Sequence, residues 1–118
     1  MPQYVLLVKS RPEAMAQYSP EELQKMTREY INWVTSLVEQ GKYQGGQRLK
    51  REIRALRAGD NGQIVMDGPY TEVKEMIGGF FQIEAASAEE AIEIAKGCPV
   101  FRFGTGSLEV REIDPVER

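Results

Sequence analysis

Histidine is absent from this 118-residue chain, and cysteine occurs once, at Cys98. Without histidine there is no Ser-His-Asp triad, no His-ligated zinc or haem, and no imidazole general base. A single thiol permits no internal disulfide and agrees with a reducing compartment. Long apolar runs are missing near the start as well: residues 4–8 are only five in a row, too few for a signal-peptide core or a membrane span. Nor is there an excess of basic charge, since 15 Lys and Arg face 18 Asp and Glu for a net charge of −3, which disfavours binding to a phosphate backbone. The expectation is a soluble cytoplasmic protein that binds neither nucleic acid nor membrane. Carboxylate, lysine, arginine, tyrosine or thiol chemistry remains open to it, as does binding without chemistry.

What is present suffices for one core. With 42% hydrophobic and 28% charged residues, a single domain over residues 1–118 buries about two-thirds of the surface of its unfolded chain, enough to fold without metal or disulfide. Residues 4–8 are aliphatic, aromatic and β-branched on both parities, as in a strand covered on both faces. Ser19-Pro20-Glu21-Glu22 reads as a capping box with proline at the first helical position. Leu23, Met26, Tyr30, Val34 and Leu37 then form an apolar face, and Gly41 ends the helix. Residues 47–58, the turn Gly59-Asp60-Asn61-Gly62 and the run to Met66 read as strand, hairpin turn and strand. Leu49 and Ile53 share a face that Leu56 does not, which predicts a bulge or bend around Arg54 and Ala55. A strand at residues 80–85, a helix opened by Ser87-Ala88-Glu89-Glu90 and closed by Gly97, and a strand at residues 107–113 complete the order.

This is a doubled βαβ pattern, with both helices expected on one face of a four-stranded sheet. Apolar residues on both faces of the first strand then require another cover. A symmetric dimer packed sheet against sheet supplies it economically, and a lid made by the hairpin at residues 59–62 is the alternative.

The segment Asp67-Gly68-Pro69-Tyr70-Thr71-Glu72-Val73-Lys74-Glu75, followed by Gly78-Gly79-Phe80-Phe81, resembles the signature of the DGPF (DGPFAETKE) group of YCII-related proteins. Six of its nine positions are identical, with Tyr70, Thr71 and Val73 the departures. The opening strand, the Ser-Pro-Glu-Glu helix, Cys98-Pro99 and the closing strand fall in the same order, so the resemblance covers nearly the whole chain. It implies an α+β, ferredoxin-like βαββαβ fold with an additional hairpin, pairing into a dimeric α+β barrel with a cleft, of a kind common in bacteria. Three functions are open: a homodimeric binder of a small molecule, motivated by the charged signature beside Asp67; a regulatory module associated with an extracytoplasmic-function sigma factor, as the resemblance implies for some members; or a YciI-like hydrolase or dehalogenase. The wider group is credited with a paired histidine and aspartate. Only the aspartate half, Asp67, is present, which makes binding the leading function.

Asp67 has two readings, a carboxylate aimed into the cleft as base or ligand anchor, or an Asp-Gly-Pro turn in which the carboxylate accepts backbone N–H bonds. Tyr70 replaces phenylalanine and adds a hydroxyl that can reach a ligand. Glu72 and Lys74 share a face if extended and either line the cleft or pair with each other. Arg48 opens the basic run Arg48, Lys50, Arg51, Arg54 and Arg57, which suits an anionic metabolite or an acidic protein partner, or else protects a strand edge. Asp67, Glu72 and Glu75 offer oxygens to a hard cation, but their spacing matches no recognised loop, and neither metal nor cofactor is expected. The doublets Gly45-Gly46 and Gly78-Gly79 lack phosphate-loop spacing and fit strand bends and close packing. Cys98 follows a helix C-terminus, an unfavourable place for a thiolate.

Overall fold

Among the described residues, six strands and four α-helices follow in the order β1 (Gln3–Ser10), α1 (Pro12–Met15), α2 (Pro20–Glu39), β2 (Tyr43–Arg48), β3 (Ile53–Ala58), β4 (Ile64–Tyr70), β5 (Met76–Glu84), α3 (Ala88–Lys96), α4 (Pro99–Arg102) and β6 (Gly106–Glu112). The structure, a computed structural model, describes residues 1–70, 76–104 and 106–116. Strands β2, β5, β1 and β6 form one antiparallel sheet in that order, the split βαβ arrangement of a ferredoxin-like fold. Strands β3 and β4 pair separately as a hairpin.

The helix boundaries follow from their caps. The Ser19 hydroxyl accepts from the Glu22 amide at 3.1 Å, and the Glu22 carboxylate accepts from the Ser19 amide at 3.0 Å. Beyond α2, Gly41 takes φ +72°, and the amides of Gly41 and Lys42 donate back to Val38 and Leu37 at 3.0 and 2.9 Å. That left-handed residue is what ends the helix after Glu39 and turns the chain into β2. The short helices α1 and α4 carry no sequence signal of comparable strength.

The core lies between the helices and one face of the sheet. Tyr4, Leu6 and Val8 of β1 point into it, with Leu37 of α2, Ala91 and Ala95 of α3, and Val100 of α4. The other face carries Val5, Leu7 and Phe80, half-buried and outside either core cluster. The hairpin does not lid that face. Its main contacts are between its own two strands, and Leu56, Ile64 and Met66 are 64%, 78% and 62% exposed. The radius of gyration, 16.5 Å, exceeds the ~13.5 Å of a compact domain of this length, as a projecting hairpin requires.

Two local expectations are revised. The run 47–58 is not one strand: β2 stops at Arg48 and β3 starts at Ile53. The expected irregularity does fall between Ile53 and Ala55, which face Tyr70 and Asp67, so two steps on β3 match three on β4. Asp67-Gly68-Pro69 lies within β4 instead of forming a turn. A two-stranded ribbon leaves one side of each strand without ladder bonds, which tolerates proline.

Candidate functional site

A cleft of about 930 Å³ opens between α2 and the β2–β5 edge of the sheet. Its floor exists because three strand positions are glycine. Gly46, Gly78 and Gly79 all line it, and a Cβ at Gly46 would stand 2.6 Å from the Phe80 carbonyl oxygen, one at Gly79 2.9 Å from that of Gln47. Both glycine doublets also sit beside register shifts, between Tyr43 and Gly45 on β2 and opposite Val8 and Lys9 on β5. Strand bends and close packing therefore account for them.

Phe81 lies at the centre of an aromatic group. The Tyr30 ring stacks on it with centroids 6.2 Å apart, and Trp33 meets it edge-on at 5.0 Å. Phe81 and Tyr30 also line the cleft, with Val8, Met26, Met76 and Val100 completing an apolar interior.

Arg28 of α2, Arg48 of β2 and Arg51 beyond it bring positive charge to the same cleft, and all three are exposed. No described residue lining it is Asp or Glu. None of the three guanidinium groups forms an ion pair with a described carboxylate, whereas Arg54 and Arg57 of the same basic run are taken up by Glu52 at 2.8 Å and Asp67 at 2.6 Å. The cleft thus combines an apolar, partly aromatic interior with an excess of guanidinium. That composition suits a planar organic anion.

Two groups beside the cleft with acid–base chemistry, Tyr30 and Cys98, are held protonated. Burial pushes the Tyr30 phenol well above its ordinary range, with the neighbouring Cys98 adding to the effect. Burial likewise raises the Cys98 thiol, against weaker opposing interactions with the Val100 amide and the Tyr30 hydroxyl. Cys98 is 1% exposed and donates its S–H to the Tyr30 hydroxyl oxygen at 3.9 Å. It does sit before an N-terminus, that of the four-residue α4, but burial outweighs any help to a thiolate.

Of the residues expected from sequence, Arg48 lines the cleft. Asp67 does not: it sits on the hairpin, where its carboxylate accepts from Arg57 Nε. Tyr70 ends β4, opposite Ile53, but its side chain lies outside the described residues, as do Glu72 and Lys74. Sequence reasoning missed Arg28. Its signal was faint: Arg28 lies one residue off the apolar face of α2, beside Ile31, an aliphatic residue that is 58% exposed at the cleft.

A family model for the YCII-related domain matches residues 2–117. The chain belongs to the YCII-related family. This YCII-related protein is 34% identical over 112 residues to an uncharacterized protein of Rhizobium meliloti (strain 1021), a match covering 93% of the chain and 90% of that relative. Among solved structures it is similar to the 5-chloro-2-hydroxyhydroquinone dehydrochlorinase of Burkholderia phenoliruptrix AC1100, in complex with 2,5-dihydroxybenzoquinone, with a TM-score of 0.56 and 19% identity over 95% of this chain and 93% of that one. At that identity the likeness is one of fold. No helix among the described residues is long and apolar enough to cross a membrane.

Proposed function

We propose that this YCII-related protein is a homodimeric binder of a small, planar organic anion, held in the cleft between α2 and the sheet. The observation that carries the reading is the pairing of an aromatic interior, Phe81 and Tyr30, with Arg28, Arg48 and Arg51 and no described carboxylate. A neutral aromatic ligand would leave three cations without a counter-charge, and a small hydrophilic anion would waste the apolar interior. The fold neighbour's ligand, a hydroxylated quinone, is of the class this cleft suits. A catalytic reading after that neighbour needs a base, and the tyrosine and thiol found here are kept protonated. The regulatory reading draws less support, because Arg54 and Arg57, the distal half of the basic run, are already paired.

Calorimetric titration with 2,5-dihydroxybenzoquinone, and with benzene-1,4-diol as its less acidic counterpart, tests this. The quinone is expected to bind saturably, more weakly as salt rises, and to lose about tenfold in affinity, roughly 1.4 kcal/mol, in Arg48→Gln or Arg28→Gln. Equal binding of both probes, or affinity unchanged in both variants, would overturn the assignment of the cleft.

A further inference from the structure

The hairpin β3–β4 sorts its residues by face. On one face Leu56 pairs with Met66 and Ala58 with Ile64, so four apolar side chains form an unbroken strip, and all four are exposed. The other face holds the Arg57–Asp67 ion pair and half-buried Val65. The ladder of β2 with β5 ends at Arg48 opposite Gly79, and that of β3 with β4 begins at Ile53 opposite Tyr70, so among the described residues the hairpin pairs apart from the four-stranded sheet. At ~3.4 Å per residue it reaches about 20 Å from β3's start to its end.

Two strands alone are at best marginally stable in water. An arm of this kind, apolar on one side, therefore needs a cover that is present whenever the chain is folded. Leu56, Ile64 and Met66 expose on the order of 350 Å² between them, which falls within the ~300–600 Å² of the largest patch on an ordinary monomer. A stable interface takes ~800 Å² from each partner, which the arm alone does not supply. The chain has a second uncovered apolar surface, the sheet face of Val5, Leu7 and Phe80, rimmed by the Lys9–Glu109 ion pair and the Gln3–Gln82 hydrogen bond. Neither surface reaches the required area separately, and each enlarges the apolar area that the other can bury against a second copy. An apolar centre within a polar rim is also how interfaces are built.

We propose that the β3–β4 hairpin is an exchanged arm whose Leu56, Ala58, Ile64 and Met66 face is buried against a second copy of this chain, in one interface with the open sheet face. A two-fold axis lets each copy give one arm and receive one, so both arms and both sheet faces are covered with no further partner. The proposal rests on the homodimer reading above and adds the arm to it.

Sedimentation equilibrium on the wild type and on L56E/M66E tests both parts separately. Both side chains are exposed in the single chain, so the charges leave its core intact; L56S/M66S and far-UV circular dichroism guard against a folding defect. The wild type is expected at twice the 13.4 kDa chain mass, and each double variant at 13.4 kDa or with dimer affinity weakened by about a hundredfold. Hydrogen exchange at residues 53–58 and 64–70 is expected to be slow in the dimer and fast in the variants. Variants that dimerise as tightly as the wild type would remove the arm from the interface and leave the dimer standing. A wild type at 13.4 kDa would overturn both.

Discussion

Glu90 stands three residues after Ser87, where a capping box would turn its carboxylate back to the Ser87 amide. Only half of that box forms. The Ser87 hydroxyl accepts from the Glu90 amide at 3.2 Å, while the Glu90 carboxylate crosses to Lys42 Nζ at 2.7 Å and ties the start of β2 to α3. The Lys42 hydrogen bond is the largest influence on Glu90 and holds its carboxyl below the usual range near 4.5, against partial desolvation. Because the native value is depressed, the pair's stabilisation is complete above about pH 4.5 and disappears as pH falls through the lower native value. The melting temperature of wild type should therefore exceed that of Glu90→Gln by a constant margin from pH 6 to 8, and the margin should narrow progressively as pH falls below about 4.5. A gap that stays unchanged as pH falls far below the usual carboxylate range would mean the ion pair is not its source. The alternative partner, Lys42, lies 48 positions away in the chain, which is why the sequence showed the cap and not the bridge.

At the scale of elements, the β2–β5 ladder is where backbone fit is tightest. A methyl group on Gly46 meets the Phe80 carbonyl at 2.6 Å, the Phe81 ring at 3.0 Å and the Tyr43 hydroxyl at 3.1 Å. The first is main chain and cannot step aside, so Gly46→Ala should destabilise by about 1–3 kcal/mol in urea unfolding, the usual cost of overpacking. The same change at Gly62, φ +75° with open space around it, tests backbone strain alone and serves as a comparison. Elements announced by their ends were legible in the sequence: Ser19 and Gly41 for α2, Ser87 and Gly97 for α3, and Gly59 to Gly62 for the hairpin tip, where Asn61 takes φ +64°. Elements defined by their neighbours were not. Asp67-Gly68-Pro69 has the composition of a turn and becomes strand only because β3 lies alongside it. Arg48 was legible as one member of a basic run, but nothing local separates it from Arg54, which a carboxylate two residues away neutralises. Arg28 belongs to the cleft only because α2 lies over β2, a relation that exists once the chain has folded.

For the whole molecule, extents of 49 × 45 × 18 Å describe a plate, not a sphere. The buried core occupies one side of the sheet, and further apolar residues lie on the sheet's reverse, on the arm and, exposed, on the helices. On the proposed pairing, folding and association are coupled by mass action, so the melting temperature should rise with protein concentration between 1 and 100 μM. A concentration-independent midpoint over that range would indicate a chain whose stability is complete in one copy. Strand β1 already showed this division in the sequence, because Tyr4, Leu6 and Val8 alternate with Val5 and Leu7; the reach of the arm did not show, since spacing along a chain carries no information about projection from its body.

Gly46, Gly78 and Gly79 leave the cleft floor made of main chain, with no side chain there to exchange for another. At those three positions selection for a different ligand has little to work on, because a side chain there would crowd the neighbouring strand first. It can work freely on the helix opposite: Gln24, Thr27 and Ile31 line the same space from α2, and all three project from an element whose register is fixed by its caps. Chains sharing this fold can therefore keep one sheet and diversify what they hold by rewriting a single helical stripe.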